Sequence, residues 1–472
     1  MDAVVGQSGR TCSGLLRVLA MSLVVPLLLT ACVNAASSPT AGATAAPTES
    51  PSAVPSDSPT EAPTATAAPN ATAVPTATAS PTPTVTPEPT AKGTAASAQW
   101  TGIKWTSVGP IAGLVPATPA ADLSTDVNVF GWSRGYVAFG SSYDMASMDA
   151  STSNLVSSSS TDAVHWTTPK PMSVAGLTYA VEVTSVSETP SALVAIGRIV
   201  GVACGGPSTV SAMWSSLDGR TWSRVTPAAD FASASVYTVD GGPSGFIAFG
   251  HLKDGLTQSL WTSSDGRTWH SKLLPKSVFG NVVVQGATSL AVGFAVSGAV
   301  ETGEGCGGPQ YETPSLWWSA DGSAWTRATL TGAAAATNST ISVTRINSRT
   351  YMAVANQWDE ATQAVTTKVW VTSDGRTWKV VPSPAPMLVA TIITDGRQGL
   401  AISTAPTDPV SPVTPLMVAT VDDDLSVRVL TQTGDMPTVE ESVNAWNTTL
   451  GPAGLVVVGM DTHSLWLGEP VR

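Results

Sequence analysis

Hydrophobic positions along the chain fall into three regimes. Val18 to Ala31 is a mostly apolar run of 14 residues. Residues 37–98 have no hydrophobic periodicity, and 51 of these 62 residues are Pro, Ala, Thr or Ser, so the stretch has nothing with which to build a core. From residue 99 onward, short apolar runs of strand length recur: Tyr136–Gly140, Leu193–Gly197, Phe246–Gly250, Leu290–Gly293, Tyr351–Ala355, Leu400–Ser403 and Leu455–Gly459. Seven such runs predict seven repeats of one β unit.

A second motif follows six of the seven runs. Trp214-Ser-Ser-Leu-Asp218-Gly-Arg-Thr-Trp222 recurs as Trp261-Thr-Ser-Ser-Asp265-Gly-Arg-Thr-Trp269, Trp317-Trp-Ser-Ala-Asp321-Gly-Ser-Ala-Trp325 and Trp370-Val-Thr-Ser-Asp374-Gly-Arg-Thr-Trp378. Weaker copies lie at Ser160–Trp166 and Thr420–Ser426. Asp-Gly between two β-rich runs predicts a tight hairpin, because glycine takes the positive φ such a turn demands. The tryptophans on either side of the Asp are then expected close to cross-strand register.

The second tryptophans and their equivalents, at 105, 166, 222, 269, 325, 378 and 426, are 47 to 61 residues apart, the length of a four-stranded blade with its loops. The last repeat stops at Arg472 before any outer strand, while Trp105-Thr-Ser-Val-Gly-Pro110 matches Trp222-Ser-Arg-Val-Thr-Pro227. The expected fold is therefore an all-β, seven-bladed β-propeller over 99–472, with the N-terminal strand completing the seventh blade.

Arg10 and Arg17 precede the apolar run, which is too short to span a bilayer and fits the h-region of a signal peptide. Leu29-Thr30-Ala31-Cys32 resembles the bacterial lipobox. The resemblance implies cleavage after residue 31, lipidation of Cys32 and a membrane-anchored protein in the cell envelope, its domain on the extracytoplasmic side. Residues 32–98 then form a disordered linker that extends like polyproline where prolines are dense.

Composition narrows the function. The chain carries 22 basic and 34 acidic side chains, and −10 of its net −12 falls on 99–472, which argues against a nucleic-acid partner. The four histidines, His165, His251, His270 and His463, show no paired metal-ligand spacing. No phosphate-binding glycine loop or Gly-x-Ser-x-Gly elbow appears, so neither a cofactor nor a metal is expected.

The box Ser-x-Asp-Gly-x-x-Trp resembles the Asp-box, or BNR repeat, of sialidases and of many non-catalytic bacterial propellers. It lacks the residue that the sialidase form carries between Asp and Gly. The resemblance implies that Asp218, Asp265, Asp321 and Asp374, with Trp222, Trp269, Trp325 and Trp378, are structural residues of peripheral turns. A sialidase would also need three clustered arginines and an Arg-Ile-Pro motif. That motif is missing, and Arg134, Arg198, Arg345, Arg349 and Arg397 show no spacing that gathers three of them.

Cys204-Gly-Gly-Pro207 and Cys306-Gly-Gly-Pro309 occupy the same place in the second and fourth repeats. In an exported protein they are candidates for a disulfide passing over the third blade, with free thiols as the alternative. The loops between second and third strands carry the candidate binding residues Tyr143, Tyr311 and Trp358, among Asp144, Glu301, Glu304, Glu312, Asp359 and Glu360. The reading is a monomeric, non-catalytic binding or scaffold module for a glycan or protein. A sialidase-like glycoside hydrolase and an assembly factor for a membrane complex are the alternatives.

Overall fold

A computed structural model describes residues 100–116, 122–147, 149–150, 153–199, 212–225, 234–252, 257–303, 310–360, 362, 364–382, 391–394, 399–403, 416–422, 425–437, 443–459 and 463–471. The signal peptide, Cys32, the linker, Cys204 and Cys306 lie outside these residues.

The described chain forms seven sheets, antiparallel within each blade, arranged as a seven-bladed β-propeller. Blade I comprises Leu123–Trp132, Gly135–Asp144, Asn154–Ser160 and Lys170–Pro171, and blade II Val181–Glu188, Leu193–Ile199, Ala212–Ser216 and Ser223–Arg224. Blade III comprises Ser235–Gly242, Gly245–His251, Gln258–Ser263 and His270–Leu273, and blade IV Val282–Ser289, Phe294–Gly303, Gln310–Ser319 and Thr326–Arg327. Blade V comprises Asn338–Arg345, Tyr351–Asp359, Ala364–Thr372 and Thr377–Val381, and blade VI Thr391–Thr394, Gly399–Ser403, Met417–Val421 and Val427–Val429. Blade VII takes Val443–Gly451, Gly454–Gly459 and Ser464–Val471 from the end of the chain and Gly102–Pro110 from its start. The first strand of each blade is innermost and touches the first strand of the next, and Val443–Gly451 against Leu123–Trp132 completes the ring.

Closure rests on Gly102–Pro110, which pairs antiparallel with Ser464–Val471. Along Gly102–Trp105 its other edge pairs in parallel with Thr431–Gly434, so the closing strand is clamped from both sides. Trp105 is buried there, and its indole N–H donates to Gln432 Oε1 at 2.9 Å. The register is that of an uninterrupted blade. Trp466 faces Ser107 as Trp214 faces Arg224, Trp261 Ser271, Trp317 Arg327 and Trp370 Val380.

That register corrects the sequence expectation for the boxes. The two tryptophans are not cross-strand partners; the first faces the residue two beyond the second. The loop is longer than a two-residue hairpin because side-chain oxygens cap it. In blade III, Asp265 Oδ1 accepts the N–H of Arg267 at 2.8 Å and of Thr268 at 2.7 Å, while Ser263 Oγ accepts the N–H of Gly266 at 2.9 Å. The same bonds recur at Asp218, Asp321 and Asp374. In Asp218, Asp265 and Asp374 partial burial pushes the carboxyl up, but the N–H donors outweigh it and hold each below the ordinary range. The indoles of Trp269, Trp325 and Trp378 donate back to the turn glycine's carbonyl, whereas Trp222 stacks edge-on against Phe139. Asp162 makes the same turn in blade I with Ala163 in the glycine position at φ 62°.

A second correction concerns blade IV. Its second strand begins at Phe294, and Leu290–Gly293 is the preceding turn, closed by the Leu290 N–H on Gly293 O at 2.9 Å. The run Leu290–Gly298 holds two glycine-terminated apolar segments, and the second carries the strand. With that change, the leading residues Tyr136, Leu193, Phe246, Phe294, Tyr351, Leu400 and Leu455 are all buried at the packed faces between blades.

Gly266 has φ 70°, and a Cβ there would stand 2.5 Å from Val194 Cγ2 on the neighbouring blade. Gly266→Ala therefore combines left-handed strain with a clash and should lower stability by about 2 kcal/mol or more, read as a fall in thermal midpoint. An unchanged midpoint would show that the turn is not held against blade II.

Candidate functional site at the channel mouth

Because the strands of a blade alternate in direction, every innermost strand runs from the face carrying the second-to-third-strand loops to the face carrying the Asp-Gly turns. The residues that open each innermost strand therefore ring the channel mouth on the loop face.

In blades II, III and IV the innermost strand is bulged at the same place. The pairing skips Thr184 between Val183 and Ser185, Tyr237 between Val236 and Thr238, and Gln285 between Val284 and Gly286. A bulge adds a residue and re-aims its side chain. Thr184 is exposed, Tyr237 is 49% exposed, and Gln285 reaches across the seam to blade V, donating to Ser339 O and accepting from the Ile341 N–H. The Tyr237 hydroxyl lies 2.9 Å from His251 Nδ1, with the two rings edge to face.

Blades VII, I and II add polar groups to the same rim. His463 Nε2 lies 3.0 Å from Thr125 Oγ1. Asn128 donates to Asp126 Oδ2 at 2.5 Å, and Arg198 pairs with Glu182 at 2.5 Å. Burial, and then the nearby Glu182 charge, push the Asp126 carboxyl up to about 6 against the opposing effects of Asn128, Arg198 and the Val127 N–H. The mouth thus offers an aromatic ring, hydroxyls, amides and two carboxyls, one of them raised, across four consecutive blades.

The residues singled out from sequence share this face but stand apart. Trp358 is half-buried in blade V opposite Asn338, and Tyr311 is 44% exposed in blade IV opposite Thr302. Tyr143 is only 8% exposed and presents little ring to a ligand. Glu312 is buried and structural, accepting the Ser339 N–H at 2.8 Å. Asp144 and Asp359 accept the N–H groups of Ala146 and Thr362 in their own loops, and Glu304 lies outside the described residues. The box aspartates and their tryptophans lie on the opposite face.

The arginines are not gathered either. Arg134 stacks over Trp132 at 4.3 Å and donates to Leu217 O, and Arg345 donates to Asn347 O, all at the turn face, whereas Arg198 is at the mouth. Arg349 shares the hairpin of Arg345, and Arg397 lies outside the described residues. Among the described residues no group of three or more His, Cys, Asp or Glu is placed to hold a metal ion. Sequence reasoning missed Asp126, Glu182 and Tyr237, and it took from His251 and His463 only that they lack a paired metal-ligand spacing. The available signal was a pair of adjacent non-apolar residues, such as Thr184-Ser185 or Tyr237-Thr238, interrupting strict alternation.

No protein-family model matches the chain, and a search of curated proteins found no match. Among solved structures it is similar to the β-propeller domain of the Trilobed protease from Pyrococcus furiosus, at 7% identity over 75% of this chain and 95% of that one, TM-score 0.44. It is also similar to the GH93 α-L-arabinofuranosidase of Fusarium graminearum with arabinobiose, at 12% identity over 68% and 95%, TM-score 0.35. A third is a family 117 glycoside hydrolase of Zobellia galactanivorans, at 8% identity over 66% and 87%, TM-score 0.31. At these identities and scores no functional residue carries over.

The raised Asp126 carboxyl sets a pH dependence. Its protonated form is favoured by folding, so the protein loses stability as pH rises from about 4 to about 6 and stays at the lower level above that. Asp126→Asn should remove this cost, raising stability at pH 7–8 by up to about 3 kcal/mol and changing little at pH 4. Denaturant titrations at the two pH values check this; an equal effect at both would contradict it.

Proposed function

We propose that the chain is a lipid-anchored envelope protein whose propeller binds a glycan at the channel mouth without turning it over. Cys32 is the anchor, residues 1–31 the signal peptide and 32–98 the spacer. The supporting observation is Tyr237, a 49% exposed aromatic ring on an innermost strand, lifted into the mouth by a bulge and held by His251. An aromatic face covers the apolar face of a pyranose, while the hydroxyls and amides around it bond the sugar hydroxyls.

A hydrolytic reading has one observation in its favour: Glu182 is a second carboxylate near Asp126, and burial with that neighbouring charge pushes the Asp126 carboxyl up to about 6, as a general acid needs. Against it, Glu182 is committed to Arg198.

On a glycan array the full chain in detergent should retain at least one glycan class, and Tyr237→Ala should weaken it about tenfold or more. Retention unaffected by that change would remove the mouth as the site. The retained glycan and a fluorogenic sialoside should both remain uncleaved; release of reducing sugar would favour the hydrolase. Separately, fatty-acid labelling in the native host should mark the wild-type chain and not Cys32→Ala.

A further inference from the structure

Blades I and II place different residues at one and the same position of the mouth. In blade II, Glu182 is paired across the strands with Arg198, one step before the pair Val183 and Gly197. In blade I the corresponding step before Val127 and Gly140 pairs Asp126 with Ser141. Cross-strand partners share a face of the sheet, so Ser141 stands beside Asp126 where the blade II carboxylate has a guanidinium. The Ser141 hydroxyl is buried, at 4% exposure, and has no hydrogen-bond partner among the described residues.

Asp126 also differs from the other acids of the innermost strands. Glu188 ties blade II to blade I through the N–H of Ser133, and Asp240 ties blade III to blade IV through the N–H of Ser289. The partners of Asp126, Asn128 and the Val127 N–H, lie on its own strand, so its burial joins no two elements. Arg198, the cation nearest to it across the seam, is held by Glu182. A half-buried carboxyl whose nearest cation is already paired, beside a buried hydroxyl without a partner among the described residues, is a costly arrangement that a ligand cation would offset.

We propose that Asp126 and Ser141 receive the ammonium group of an amino sugar, which takes beside Asp126 the role that Arg198 takes beside Glu182. This rests on the glycan reading of the mouth and names its substrate class: a saccharide with free amines, its ammonium donating to the Asp126 carboxylate and the Ser141 oxygen and its neighbouring units lying along Thr184 and Tyr237. An N-acetylated sugar carries no charge to offer there.

The test compares a glucosamine hexamer with its fully N-acetylated counterpart at pH 6.5, by calorimetry on the full chain in detergent. The amine form should bind about tenfold or more tighter, the size of a charge-assisted hydrogen bond. Asp126→Asn should bring the two affinities within about threefold, and Ser141→Ala should reduce the preference by a smaller factor, both with thermal melts at least as high as wild type for Asp126→Asn. Equal affinity for the two hexamers, or a preference that survives Asp126→Asn, overturns the inference while leaving the glycan reading intact. Binding of neither hexamer also overturns it, and the array with Tyr237→Ala then judges the glycan reading by itself.

Discussion

Each innermost strand of the ring is hydrogen-bonded to its own blade along one edge only, and its other edge faces the next blade with its amide and carbonyl groups unmet by any ladder. Buried backbone groups of this kind must find partners, and here side chains from the neighbouring innermost strands supply them. Thr449 Oγ1 accepts the Gly131 N–H, Ser187 donates to Val239 O, Asp240 accepts the Ser289 N–H, and the Gln285 amide meets both a carbonyl and an N–H of blade V. The channel wall is therefore polar because the ring needs it to be, before any ligand is considered. This requirement also makes a polar residue that joins nothing, such as Asp126, conspicuous.

The periphery obeys a different constraint. There the third strand must turn back into a short fourth strand, and the turn carries its own hydrogen bonds: the Ser or Thr hydroxyl and the Asp carboxylate cap four amides between them, and glycine supplies the positive φ. Because these contacts are local, the turn is the same wherever its residues recur, and it survives with Ala163 in blade I. The fourth strands can then be as short as two residues, which leaves little open edge on the outside of the ring.

Local devices are what a sequence displays most plainly, and this accounts for what could be read from it. The turn positions follow from motifs whose residues bond to one another within a few positions, and the blade number and the N-terminal strand of blade VII follow from the recurrence of those motifs and of the apolar runs before them. The assignment of Leu290–Gly293 to a strand failed for the complementary reason: both candidate runs in that region are apolar and end in glycine, and only long-range packing against blades III and V selects Phe294. The mouth was harder still. Asp126 acquires its character from burial and from Glu182 and Arg198, residues brought to it across the seam between two blades and invisible as a spacing.

One feature of the repeat nevertheless encodes the mouth. The glycine that ends the apolar run of the second strand in blades II, III and IV, Gly197, Gly250 or Gly298, lies opposite the step at which the innermost strand is bulged. A Cβ at Gly250 would stand 2.0 Å from Ser235 O, and one at Gly298 2.5 Å from Val283 O, so the bulged backbone occupies the space a side chain would take. The recurring glycine is thus the far half of a device whose near half is the extra residue, Thr184, Tyr237 or Gln285. Of these, Gln285 is spent on the seam, whereas Thr184 and Tyr237 are exposed, so the same backbone device serves ring closure in one blade and presents a contact surface in the two next to Asp126. Function in this propeller is then sought where the repeat is conserved in backbone and released in side chain, on the blade I to blade III side of the mouth.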